Sequence, residues 1–141
     1  MQRLGAVLEV EAAFHPVDGR ADPRAFLLDH VLARRHGHPA LLAVVAHELA
    51  RRAGLGVDVF SSPTGWYVGC DDRGRFALLA LGGATVDITP PGVRRHCAHE
   101  VAFAVLSGLQ YSLCASGEHD AAAHMAALRE HLPVARFAAP G

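Results

Sequence analysis

Lysine is absent: all 13 residues of the Lys/Arg class are arginines. A Schiff-base lysine is therefore excluded as a catalytic device. With alanine very frequent, the arginine bias reads as the codon usage of a GC-rich genome, not as phosphate recognition. Cysteine is scarce. Cys70, Cys97 and Cys114 lie far apart, form no CxxC pair and leave an odd thiol over. That pattern suits a reduced cytoplasmic protein, not a disulfide framework. No apolar run approaches the length needed to cross a bilayer. Glu9 and Glu11 interrupt the only early apolar stretch, so no signal peptide is expected. Charge of one sign is lacking too: the formal net charge is -1, which gives no pull toward nucleic acid or a membrane.

What is present is a core. At 51% hydrophobic and 19% charged over 141 residues, the chain is too apolar to stay disordered, and its length suits one domain spanning 1–141. Gln2 to Phe14 reads as a short amphipathic helix, followed by a loop of turn formers from His15 to Asp22. Asp22 and Pro23 are an N-cap and an N1 proline opening a helix through Phe26, Leu27, Val31 and Leu32, which Gly37 is placed to end. Pro39 to Ala53, apolar on most sides, predicts a central buried helix stopped by Gly54. The period then changes. Val57–Phe60, Gly65–Cys70, Arg75–Leu81 and Ala84–Ile88 are short strands separated by SSPT, DDRG and GG, an antiparallel meander closed by TPPG at 89–92. Two helices follow, Arg94–Ala115 and Glu118–Leu132, parted by Ser116-Gly117 and ended by Pro133. The order predicts an α+β fold: helices and sheet over 1–92, then a helical pair over 93–141.

Residues 31–68 read VLARRHGHPALLAVVAHELARRAGLGVDVFSSPTGWYV. Val31-Leu32, Arg34-Arg35, Gly37, Pro39, Glu48, Ala50-Arg51-Arg52, Gly54-Leu55 and Pro63 stand in register with V-L-x-R-R-x-G-I-P, E-x-A-R-R-x-G-L and P-G-H-F. Gly82-Gly83 matches a glycine pair after a third strand. In these motifs the chain resembles the bacterial SirB-type branch of the transglutaminase-like superfamily, over residues 22–83 and more loosely in the tail. The resemblance implies a papain-like core, a central helix packed on a small antiparallel sheet. In active members a cysteine opens the central helix, where the dipole and free amides lower its pKa. A histidine on the next strand is the base and an aspartate one strand later orients it. Those positions fall on Pro39, Gly65 and Leu78, so cysteine-type acyl transfer is not expected. Proline at the first position is common in the resembled family; glycine and leucine at the other two are departures from it. The tail resembles one tetratricopeptide-like helical pair through Leu109, Tyr111, Gly117, Ala121 and Pro133, a cover for one face of the domain.

If chemistry persists, it falls to His38, His36, Tyr67 or Cys70. His38 and His36 flank Gly37 beside the central helix, where the dipole favours a neutral imidazole able to act as a base. Trp66 and Tyr67 alternate to opposite faces of their strand, one into the core and the other toward the cleft. Cys70 ends that strand beside Asp71 and Asp72, which raise a thiol pKa. Pro39, Gly65, Trp66 and Leu78 are the expected ligand-binding positions. No cofactor and no metal are expected. His96 with His99 or Glu100 makes at most two ligands on one helix face, with Asp87 or Cys70 needed for a third, and Arg51 breaks the H-E-x-x-H pattern begun by His47-Glu48. Two functions compete. One is binding of a protein partner or small ligand in the vestigial cleft. The other is a tailoring enzyme, cyclase or hydrolase, of a specialised biosynthetic pathway. A docking subunit and a homodimer through the alanine-rich Ala121–Ala127 helix are further possibilities.

Overall fold

The computed structural model describes residues 14–18, 22–72, 75–80, 85–86 and 92–133. The helix expected over Gln2–Phe14 lies, except for Phe14, outside the described residues, as do Leu81, Gly82-Gly83, Ala84, Asp87, Ile88 and residues 89–91.

Asp22 caps as expected: its carboxylate accepts from the Arg24 N–H at 2.9 Å. The helix it opens is nevertheless two elements, a 3-10 turn over Pro23–Phe26 and the helix α1 over Leu28–Arg34, with extended Leu27 between them. The break has a cause. The Ala25 carbonyl accepts from the His38 N–H at 2.8 Å and so leaves the helical ladder. Gly37 does not end α1. Arg35 does, in the left-handed region at φ 59 with its N–H on the Val31 carbonyl. Gly37 instead lies in a two-residue strand, β2 (His36–Gly37), where a Cβ would stand 2.7 and 2.8 Å from the two Val31 methyls. Its role is close approach. Strand β2 pairs in parallel with β1 (His15–Pro16), a bridge inside the segment read as loop and too short for any period to reveal.

The helix α2 (Pro39–Arg52) is the central one. Ala43, Ala46 and Ala50 recur at i, i+3 and i+7, a narrow stripe that lets the helix lie close against a sheet. Gly54, at φ +75, closes it with a Schellman motif: Leu55 N–H to Ala50 O at 2.9 Å and Gly54 N–H to Arg51 O at 3.1 Å.

The meander is β3 (Asp58–Ser62), β4 (Gly65–Asp72), β5 (Arg75–Ala80) and β6 (Thr85–Val86), all antiparallel. A fifth strand, β7 (Arg94–His96), comes from residues expected to begin a helix, and gives the order β6-β5-β4-β3-β7. It satisfies the free edge of β3 through the pairs Val59–His96, Phe60–Arg95 and Ser61–Arg94. The helix α3 (Ala98–Ala115) starts later, because the Glu100 carboxylate takes the Cys97 N–H at 2.9 Å and caps it there. Glycine 117, at φ +82, makes a second Schellman turn into α4 (His119–Glu130). Alternation splits the sheet. Val59, Val68 and Trp66 pack with the α2 alanines and Val101, while Phe60 and Tyr67, paired across β3 and β4, are buried on the other face. A second core joins Ala25 and Phe26 to Leu109 and Leu113 of α3 and to Ala122, Ala121 and Met125 of α4. Part of the alanine stripe suggested for a second copy is thus covered by the chain itself. Among the described residues, no helix is long and apolar enough to cross a membrane.

Candidate functional site

His38 is the N-cap of α2, and its ring does the capping: Nδ1 accepts from the Ala40 N–H at 3.2 Å. A backbone N–H offers no lone pair, so Nδ1 must supply one. The neutral ring then carries its proton on Nε2. Burial pushes the His38 pKa below its ordinary 6.5, against an opposing pull from the Asp18 carboxylate. At neutral pH the ring is therefore an uncharged hydrogen-bond donor whose Nδ1 is engaged by the cap. The Phe26 ring stacks on it, with centroids 4.4 Å apart and planes at 25°.

These two rings border a pocket of about 510 Å³. Pro39, the first residue of α2, lies beside them. Pro16, Val17 and Asp18 form another wall, and Gly108 and Tyr111 of α3 a third. Gly108 makes the arrangement possible: a Cβ there would meet Phe26 ring carbons at 2.4 and 2.6 Å. Tyr111, expected to pack inside a helical pair, is 61% exposed and stands at the pocket. The sequence reading missed Pro16, Val17, Asp18, Phe26, Gly108 and Tyr111 as site residues. The one available signal was a glycine inside an otherwise strong helical stretch, which costs about 1 kcal/mol against alanine and so asks for a packing reason.

The other residues singled out lie elsewhere. Exposed His36 has its Nδ1 2.6 Å from the Arg34 carbonyl and its ring 5.5 Å from that of His15. Tyr67 is buried, its hydroxyl 2.9 Å from Thr64 Oγ1 and 3.4 Å from Ser62 Oγ. Gly65 stands next to that hydroxyl, opposite Ser62 at the start of β4. Trp66 packs on the sheet core and against His96. Cys70 is half-buried near the far end of β4, opposite Ala77, and Leu78 is paired with Gly69 and Val86. His36, Tyr67, Gly65, Trp66 and Cys70 do not line the His38 pocket.

A second cluster surrounds His96. The residue lies on β7 and not on a helix, so the expected helical pairing with His99 does not form. Its Nε2 is 2.6 Å from Ser61 Oγ and its Nδ1 3.8 Å from Glu100 Oε2, the order of a serine–histidine–carboxylate relay. The relay is not made. Arg94 Nη2 stands 3.1 Å from Nδ1, and a guanidinium can only donate, so the ring proton sits on Nε2 and is given to Ser61. Burial and then Arg94 hold the His96 pKa below 6.5, against Glu100. The cluster ties β3, β7 and α3 together. Elsewhere, Glu48 is held at about 2 by hydrogen bonds from Arg51 and Arg52, which occupy it on the exposed side of α2. Among the described residues, no three His, Cys, Asp or Glu side chains converge as a metal site requires.

A transglutaminase-like superfamily model matches residues 1–88, which contain α2, the meander and the His38–Pro39 step, while α3 and α4 lie beyond it. No curated protein and no solved structure matches the chain. With a central helix on an antiparallel sheet and well over half its length matched, the chain belongs to the transglutaminase-like superfamily.

Proposed function

We propose that this protein is a SirB-type member of the superfamily without the cysteine–histidine–aspartate triad, working as a single cytoplasmic domain that binds a small ligand in the cleft at the head of α2. The observation that carries this reading is Pro39 at the first position of α2, bordering a pocket of about 510 Å³. Proline brings no nucleophile to the place where the family's cysteine stands. Its neighbour His38 has its basic nitrogen engaged by the Ala40 N–H, which argues against general-base catalysis there and so against the tailoring-enzyme alternative. Gly65 and Leu78, at the family's other two catalytic positions, bring neither base nor charge. A small ligand is favoured over a protein partner because the lining is concave, with Phe26, Pro39, Pro16 and Val17 around a few polar groups, His38, Asp18 and the Tyr111 hydroxyl, the make-up of a small-molecule site.

The test is a metabolite screen followed by amide NMR on the intact protein. Ligands that bind are expected to shift Phe26, His38, Gly108 and Tyr111 together. Acyl transfer or hydrolysis that disappears in Cys70→Ala, Cys97→Ala or Cys114→Ala would overturn the non-catalytic reading.

A further inference from the structure

We propose that the His38 pocket selects an uncharged, carbonyl-bearing apolar molecule whose oxygen is taken by the His38 Nε2–H. The proposal rests on the reading of this pocket as a ligand site and deepens it by naming the ligand class.

Three observations lead there. The helix amide of Ala40 engages Nδ1, so the neutral ring has one polar atom left, and that atom can only donate. A ligand must therefore bring an acceptor. Apart from Asp18, the remaining side chains are apolar or aromatic: Pro16, Val17, Phe26, Pro39 and Tyr111. Such walls suit an apolar body, and the pocket volume falls within the range of about 300–1,000 Å³ usual for small-molecule sites. The third observation decides the charge of the acceptor. Asp18 lines the same pocket, and its carboxylate acts electrostatically on His38. A ligand carboxylate would give up its hydration to these apolar walls for a single neutral donor, with the exposed Asp18 carboxylate at the same rim. A ketone, ester or lactam oxygen accepts the same hydrogen bond without that desolvation cost. His38 is thus a binding donor whose orientation is held by the cap on one side and the Phe26 ring on the other.

The experiment uses the full chain and three probes of one shape: acetophenone, benzoate and ethylbenzene, titrated by amide and histidine side-chain NMR. Acetophenone is expected to shift the His38 Nε2–H together with Phe26 and Tyr111. Ethylbenzene is expected to bind about fivefold more weakly, the ratio one neutral hydrogen bond supports, and benzoate more weakly still. Long-range proton–nitrogen spectra should place the ring proton on Nε2. His38→Ser keeps an N-cap oxygen but withdraws the ring N–H from the pocket, so acetophenone should lose its advantage over ethylbenzene. Benzoate binding as well as acetophenone, ethylbenzene binding equally, a ring proton on Nδ1, or no binding by any probe would each overturn the carbonyl assignment. A ligand of another class found at the same four residues by the metabolite screen would leave the binding function standing and refute only this inference.

Discussion

Gly108→Ala separates local propensity from tertiary packing with a change of sign. In an exposed helix interior alanine is about 1 kcal/mol more favourable than glycine, so α3 taken alone predicts stabilisation. In the folded protein the new methyl would stand 2.4 and 2.6 Å from Phe26 Cε1 and Cζ, far inside carbon–carbon contact. The ring must withdraw by about 1 Å or more, since such contacts settle near 3.5–4.0 Å. It is poorly placed to do so, being 6% exposed, packed with Leu109 and Leu113, and stacked at 4.4 Å on His38. Overpacking of this kind costs about 1–3 kcal/mol. Set against the propensity gain, the expected result is a net loss of about 1 kcal/mol, read as a lower urea midpoint at unchanged slope. Phe26→Leu should relieve the clash, giving a coupling of about 1 kcal/mol in the double-mutant cycle. The His38 ring resonances should move in the single variant, because the ring stacked on them has moved. A Gly108→Ala protein stabilised by about 1 kcal/mol, with His38 undisturbed, would refute the packing argument.

Three further outcomes are expected. His38 and His96 both have pKa values depressed below 6.5, chiefly by burial; the unfolded rings protonate first, so their contribution is complete above that pH and is lost as pH falls below it. Glu100, held below its usual 4.5 first by the Cys97 N–H, adds a second loss at more acid pH, and a urea midpoint that rose on acidification from about pH 7 to about pH 5 would contradict the histidine assignment. Ser112 is fully buried with no hydrogen-bond partner for its hydroxyl among the described residues, so Ser112→Ala should stabilise by about 1 kcal/mol in thermal melts, and a loss would point to a partner for that oxygen. Gly54→Ala, at φ +75 with open space around it, should cost about 1 kcal/mol from backbone strain alone, while the same change at Gly56, which has no positive φ and equally open space, should be nearly neutral on the same measurement.

What the sequence determined by itself was local. Asp22 before Pro23, Pro39 opening α2, Gly54 and Gly117 closing helices, and Pro63-Thr64 turning between β3 and β4 all act on their own backbone, and each is found where its chemistry requires. The α+β order followed from the same short-range grammar, and the family from the motifs in which the chain resembles it. Only the tertiary structure decided matters that depend on distant partners. Arg94–His96 is a strand because the edge of β3 was open to it, and Gly37 is glycine because Val31 lies against it. The 3-10 turn breaks at Leu27 because His38, eleven residues on, takes the Ala25 carbonyl. The site obeys the same division. Sequence pointed to His38 and Pro39 through the helix they begin, but not to Phe26, Gly108 and Tyr111, which reach that helix from two other elements. It also could not assign the ring nitrogen carrying the proton, because that is settled by a hydrogen bond which exists only once α2 has formed.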